Sequence, residues 1–294
     1  MITRRGFLKL CLTGIAASAA VLGFPVVEVM ARPRITRYAL TPSNWTPGLK
    51  LKIVALADFH ACDPWMTADR IRSICDQANA LNPDIILLLG DYVSGMNAVL
   101  SYVPSSGWSK AMAGLAAPLG VHAILGNHDY WEDLAFQRDP SVENIADRAL
   151  RDVGIRTYVN AALRLEKDGF AFWLAGLGDQ MALRPGKRFG RSEMLGIDSL
   201  GATMAAVGDD APVILMAHEP DIFPKVTTRV SLTLSGHTHG GQVDVFGWRP
   251  VARRYPAGHF REHERDLIVS RGLGCSGLPI RFGSWPEILE IDLS

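Results

Sequence analysis

The chain has 294 residues, 48% of them hydrophobic, with 30 Lys+Arg balanced by 30 Asp+Glu. That length suits one large domain or two small ones with a sizeable core. A formal net charge of zero argues against a polyanion binder held by bulk electrostatics, so no nucleic-acid binding is expected, and four cysteines are too few for a disulfide scaffold.

In chain order, Thr3 to Lys9 read T-R-R-G-F-L-K, which resembles a twin-arginine export signal with Arg4 and Arg5 as the pair. The apolar run Leu10 to Phe24, rich in Ala and Gly, is short for a spanning helix, which needs about 20 residues. Val29-Met30-Ala31 ends in a small residue and suits cleavage near Arg32. Residues 1–31 are therefore expected to be a twin-arginine signal that engages the translocase during export. Left uncut, they become an N-terminal anchor, with membrane association through residues 8–30. Either way the chain is expected in the periplasm or on the outer face of the cytoplasmic membrane. Residues 32–50, with Pro33, Pro42 and Pro47, read as a linker and leading strand, and 51–294 as the main domain.

Lys50 to Ala57 is an apolar run that predicts a buried strand. Thr67 to Ala80 has helical spacing, with Ile71, Ile74, Cys75 and Ala78 on one face and Thr67 able to cap. Strands are predicted at Asp84–Leu89, Val121–Leu125, Ile155–Val159, Pro212–Ala217 and Ser231–Leu234, with closing strands at Leu267–Ser270 and Glu287–Leu293. Helices are predicted at Trp108–Ala117, Ser141–Val153 and, weakly, Ser192–Val207. Ala161 to Leu177 reads as a hairpin turning at Lys167-Asp168-Gly169. The charged stretch Arg261–Asp266 reads as a solvated loop. Strand–helix–strand units followed by hairpins imply an α/β fold of two packed mixed sheets with helices outside.

The informative regularity lies at the strand ends. These carry Asp58-Phe59-His60, Gly90-Asp91, Gly126-Asn127-His128-Asp129, His218 and Gly236-His237-Thr238-His239. Open α/β sheets bind ligands beyond the carboxyl ends of their strands, so these residues should share one edge. Imidazole, carboxylate and amide oxygen together suit Mn, Fe, Zn or Co. In D-x-H and H-x-H both side chains fall on one side of an extended segment. Any one of these histidines alone is more often a packing residue than a ligand. His122, alternating with apolar neighbours, reads as packing.

The five blocks, in this order from Asp58 to His239, resemble the calcineurin-like metallophosphoesterase family. The tail Ser270-Arg271-Gly272-Leu273-Gly274 with Pro286-Glu287-Ile288, and Gly236 to Gln242, look like the exported or membrane-associated bacterial subgroup related to the YkuE and YaeI phosphoesterases. The resemblance implies a four-layer αββα sandwich and two divalent transition-metal ions. Asp58, His60 and His239 would hold one ion, Asn127, His218 and His237 the other, with Asp91 bridging. His128 would touch the phosphate and protonate the leaving oxygen. Many relatives read G-D-x-x-D where this chain has Gly90-Asp91-Tyr92-Val93-Ser94. The absent aspartate often supports the catalytic histidine, leaving Asp129 or another carboxylate to orient His128.

The implied function is hydrolysis of a phosphomonoester or phosphodiester by attack of a metal-bridging hydroxide. A lipid-linked diphosphate of the UDP-diacylglucosamine type is the alternative substrate, although it lies on the cytoplasmic face. A non-catalytic scaffold is the competing class, disfavoured because every ligand and His128 are retained. Arg271 and Arg281 are candidate phosphate contacts, since guanidinium forks match phosphate oxygens. His259 is a candidate substrate contact reaching over the site.

Export is expected to require the arginine pair. Replacing Arg4 and Arg5 together by Lys should leave the protein inside the cell on fractionation. Normal delivery of that variant, or delivery in cells lacking the translocase, would contradict the assignment.

Overall fold

Long apolar runs that can be covered on both faces set this architecture. The computed structural model describes residues 26–250 and 253–294. The twin-arginine pair and the apolar run after it lie outside the described residues. Among the described residues no helix is long and apolar enough to cross a membrane.

The strands are β1 (Arg34–Leu40), β2 (Leu51–Leu56), β3 (Cys62–Asp63), β4 (Ile85–Leu88), β5 (Ser101–Tyr102), β6 (Val121–Ala123) and β7 (Arg156–Thr157), then β8 (Ala161–Lys167), β9 (Phe170–Gly176), β10 (Val213–Met216), β11 (Leu232–Ser235), β12 (Gly258–Glu262), β13 (Arg265–Val269) and β14 (Glu287–Leu293). One six-stranded sheet has the order β1-β14-β2-β4-β6-β7, the other β12-β13-β11-β10-β9-β8, and β3 pairs with β5 alone. β2, β4, β6 and β7 run parallel, as do β9, β10, β11 and β13. β14 is parallel to β1 and antiparallel to β2.

β4, β10 and β11 are buried at every position, which explains the unbroken apolar sequence of β4 and β10; β11 alternates as Leu-Thr-Leu-Ser although both its faces are covered. Between the sheets, Ile53, Ala55 and Leu87 pack with Ile214, Met216, Leu232 and Leu234. On the outer face of the first sheet, Val54, Ile86 and Leu88 meet Ile71 and Ile74 of the helix Ala68–Asn79, Trp108 of Ser105–Met112 and Leu150 of Ile145–Asp152. Behind the second sheet, Leu215 and Val213 meet Ile222 and Phe223 of the 3-10 helix Pro220–Lys225, with Leu200 and Met204 of the helix Leu200–Ala205 alongside. The layers are helix, sheet, sheet, helix.

Local signals explain most boundaries. The Thr67 hydroxyl accepts from the Arg70 amide at 3.2 Å and starts its helix. The β8–β9 hairpin turns through Asp168 and Gly169, both at positive φ. The helix predicted from Trp108 starts at Ser105, because Pro104 supplies the extended residue before it. Of the stretch Ser192–Val207 only Leu200–Ala205 is helical, capped by Ser199. The charged stretch Arg261–Asp266 is not a solvated loop. It is the turn and flanks of the β12–β13 hairpin, with His263 and Glu264 at positive φ. β12 is a sheet edge whose exposed face made it read as polar. β1 lies inside the stretch 32–50 and pairs with β14 along its whole length.

The inter-sheet core should dominate stability. Leu87→Ala removes a fully buried side chain there and is expected to lower unfolding free energy by about 2–5 kcal/mol. Urea unfolding measures it. A loss under about 1 kcal/mol would mean the sheets are not closely packed at this point.

Candidate metal centre

The expected strand ends converge. Asp58 and His60 follow β2, Asp91 follows β4, Asn127 opens the short helix Asn127–Trp131 after β6, His218 follows β10, and His237 and His239 follow β11. All seven side chains come together at the carboxyl edges of the two sheets. Asp58, His60, Asp91, Asn127, His218 and His239 are each no more than 3% exposed.

The backbone is bent to achieve this. Asp58, His60, Asp91, His237 and His239 have φ of 57°, 50°, 59°, 69° and 52°. That left-handed region is uncommon for residues with a Cβ and clusters at functional sites. Two glycines let the loops touch. A Cβ on Gly126 would lie 2.5 Å from Asp91 Oδ1, and one on Gly90, at φ +95°, would lie 2.5 Å from the Gly126 nitrogen. Asp129 ties the same turn together. Its Oδ2 accepts from the Asp91 and Gly126 amides at 2.8 and 2.9 Å, and its Oδ1 from Tyr92 and Val93 at 2.8 and 3.0 Å.

Asp91 sits at the centre. Its Oδ2 is 3.4 Å from His60 Nε2 and 3.2 Å from His218 Nε2. On one side, His60 Nε2 is 3.0 Å from His239 Nε2, which is 3.7 Å from Asp58 Oδ1. On the other, His237 Nδ1 is 2.9 Å from Asn127 Oδ1. Two sets of potential donor atoms result, Asp58, His60 and His239, and Asp91, His218 and His237, and Asp91 of the second also reaches His60 of the first at 3.4 Å.

The donor chemistry fits cations. His60 Nδ1 lies 3.1 Å from the Val93 carbonyl and His218 Nδ1 2.7 Å from the Leu89 carbonyl. Each contact holds the proton on Nδ1 and aims a lone pair on Nε2 into the cluster. His218 Nε2 and Asp58 Oδ2 are buried without a hydrogen-bond partner, which is costly unless something else satisfies them. Burial pushes His60 down to about 3 and His237 to about 4, so both rings are neutral at neutral pH and free to offer a lone pair. Burial would lower His218 and raise Asp91, but each outweighs burial for the other. Asp91 lifts the His218 ring well above its ordinary value, and that charged ring, with His128, holds the Asp91 carboxyl well below its range, so a cation at His218 Nε2 would take a proton's place. One contact opposes an ion. Arg281 Nη2 lies 3.2 Å from His239 Nδ1, which favours the proton on Nε2, so an ion at Nε2 must displace that contact.

The cluster opens into a cavity of about 350 Å³ lined by His128, Trp131, Met181, Gln242, Arg253 and Ser276 among others. His128 Nε2 is 3.4 Å from Ser276 Oγ, and its Nδ1 is 3.6 Å from Glu132 Oε1, one helical turn away. Burial lowers the His128 pKa, but Asp91 and then Glu132 more than offset it, leaving the ring above its ordinary value. Asp129 is engaged with backbone amides, so Glu132 is the carboxylate beside His128. The i,i+4 spacing was readable in the sequence.

The three expected substrate contacts sit elsewhere. Arg281 is fully buried behind His239, donating to the carbonyls of Gly274, Ser284 and Arg271. Arg271 pairs with Glu287 at 3.0 Å. His259 is on β12 at the edge of the second sheet, bound to Asp266 at 2.7 Å. None lines the cavity, where Arg253 stands instead. The sequence also gave no sign of the buried carboxylates Asp179 and Glu219 beside His218. His122 is a packing residue, bound to the Tyr158 hydroxyl and the Leu119 carbonyl at 2.8 Å each.

Comparison with known proteins matches the profile of the calcineurin-like phosphoesterase family to residues 51–241. The chain is 28% identical to a metallophosphoesterase of Aquifex aeolicus, over 88% of this chain and 91% of that one. It is 28% identical to metallophosphoesterase YkuE of Bacillus subtilis, over 99% and 97%. It is 28% identical to phosphodiesterase YaeI of Escherichia coli, over the full length of both.

Because Asp91 faces both donor sets, Asp91→Asn should lose at least one bound ion of Mn-loaded protein and nearly all turnover. Elemental analysis after desalting checks it. Unchanged metal content with full turnover would show that Asp91 does not join the two sets.

Proposed function

The chain belongs to the calcineurin-like phosphoesterase family and is a metal-dependent hydrolase of phosphoric ester bonds, and on that footing we propose a dinuclear enzyme that cleaves a phosphomonoester or phosphodiester in the periplasm or cell envelope. The observation that carries the dinuclear reading is the pair of donor sets that Asp91 links. Asp58, His60 and His239 would hold one ion, Asn127, His218 and His237 the other. Such a pair would neutralise phosphate oxygens and lower the pKa of a bound water. The envelope location is supported by the arginine pair and apolar run at the N-terminus.

The protein's own residues supply the rest. The His128 amide donates to Asp91 Oδ1 at 2.8 Å, which fixes the start of its helix against the centre. Nε2 of His128 faces the cavity, where it donates a proton to the departing oxygen. Glu132 stands 3.6 Å from Nδ1, too far for a hydrogen bond, and its charge favours the protonated ring. Gly95 leaves the room this pair needs, because a Cβ there would lie 2.5 Å from Glu132 Oε1 and 2.6 Å from His128 Nδ1. Ser94, the position that the family resemblance gives to an aspartate, is buried and lines a cavity with Glu132.

A nitrophenolate leaves without a proton, whereas an alkyl or sugar alkoxide does not. His128→Ala should keep its metal and lose about 10²–10⁴ in rate on alkyl esters, with a smaller loss on nitrophenyl esters. Glu132→Gln should show the same pattern more weakly, and adding Ser94→Asp should recover part of the loss. Equal losses on both ester types would assign His128 to phosphate positioning alone. Loss of metal from His128→Ala would make it a ligand instead.

A further inference from the structure

The loop after the metal-centre motif holds a large apolar residue in water at a conformational cost. Phe246 has φ +53° and Gly247 φ +91°, in a two-residue turn closed by Val245 and Trp248 amide–carbonyl bonds of 2.9 and 3.0 Å. Such a turn favours Asn or Asp before Gly, and a bulky side chain in the left-handed region is an outlier. Phe246 is nevertheless 106% exposed, and Trp248 is 64% exposed.

Other exposed apolar residues are tied to the same loop. The Asp244 amide donates to the Phe282 carbonyl at 2.7 Å, and the Phe282 amide to the Gln242 carbonyl at 2.8 Å. The Gln242 side chain receives the Ser276 amide at 2.6 Å and reaches the Leu278 carbonyl at 3.4 Å. Leu278 is 60% exposed. Glu28 accepts from the Gly283 amide at 3.0 Å and so fastens residues 26–30 to this loop pair, with Val27 64% exposed. Phe246, Arg34 and Trp285 share a groove there, and the Arg34 guanidinium stands 4.1 Å over the Trp285 ring. Gln242, Ser276 and Arg253 also line the metal-centre cavity, so this apolar patch begins at its rim.

We propose that the Phe246–Trp248 turn, Leu278 and the segment at 26–30 form a bilayer-docking face, which places the cavity mouth at the lipid headgroups and makes a lipid phosphoester the substrate. Three observations favour a bilayer over another occupant. Val26, the first described residue after the apolar run Leu10–Phe24, belongs to the segment that Glu28 fastens to this face, and that run, left uncut, is the expected anchor. Aromatic and aliphatic tips set among the polar groups Arg34, Glu28 and the paired Arg249 and Asp244 have the mixed composition of an interfacial belt. The aromatic tip is held out by a strained turn instead of being folded inward. The substrate class rests on the phosphoesterase reading, but the docking face does not.

The test uses the full chain reconstituted in vesicles of phosphatidylcholine and phosphatidylglycerol with brominated acyl chains. Trp248 emission should be quenched, and Trp248→Phe should remove that quenched component. With phosphatidic acid in the vesicles as substrate, Phe246→Ser with Trp248→Ser should lower turnover about tenfold while sparing a soluble nitrophenyl ester. Phe246→Asn suits the turn, so it should raise Tm while lowering turnover on vesicles, which separates docking from folding. Unquenched Trp248 in a chain held on vesicles by its leader would overturn the proposal. Equal losses on both substrates, or a dimer in detergent abolished by Phe246→Ser, would also overturn it. Absence of turnover on every ester with quenching intact would sink the phosphoesterase reading and leave the docking face standing.

Discussion

A buried cluster of two aspartates and four imidazoles is the constraint on which this structure turns. Charged and polar groups removed from water are costly unless they are paired; Asp58 Oδ2 has no hydrogen-bond partner, and His218 Nε2 meets only the Asp91 carboxylate at 3.2 Å. In the metal-free protein burial pushes the Asp58 carboxyl up to about 7. Cations at the centre remove that conflict by taking the orphaned lone pairs. The same atoms that make the fold awkward without metal make it a binding site with metal.

Most of the surrounding structure serves to hold that cluster in place. The strands of two sheets end together because their apolar runs pack face to face through Ile53, Leu87, Ile214 and Leu234. The chain then bends sharply after each run, and the left-handed residues Asp58, His60, Asp91, His237 and His239 return their side chains to one point. Asp129 uses both oxygens on backbone amides of the two loops that carry Asp91 and Asn127. Its position next to His128 in sequence disguised a structural task, while Glu132 stands beside the ring.

The sequence exposed the fold where burial is two-sided. β4 and β10 were legible as unbroken apolar runs and β2 and β11 as largely apolar ones, and the polar residues that follow two or three positions later were legible as candidate ligands by type and order. It hid what depends on edges and on tertiary contact. β1 and β12 are edge strands with one wet face, so β1 was legible only as a leading strand somewhere within 32–50, and the turn from β12 into β13 read as a loop. Arg271, Arg281 and His259 had the right chemistry for phosphate, but their positions follow from pairing with Glu287, three carbonyls and Asp266. No periodicity in the chain announces those partners. Glu132 was available from its spacing to His128, and Gly95 became meaningful only once the space it leaves was seen.

Anomalous diffraction from crystals of the Mn-loaded protein addresses the central claim most directly. The account predicts two peaks about 3.5–4 Å apart, one among Asp58, His60 and His239, the other among Asn127, His218 and His237, with Asp91 between them. A single peak, or a second one displaced to Asp179 and Glu219, would contradict it.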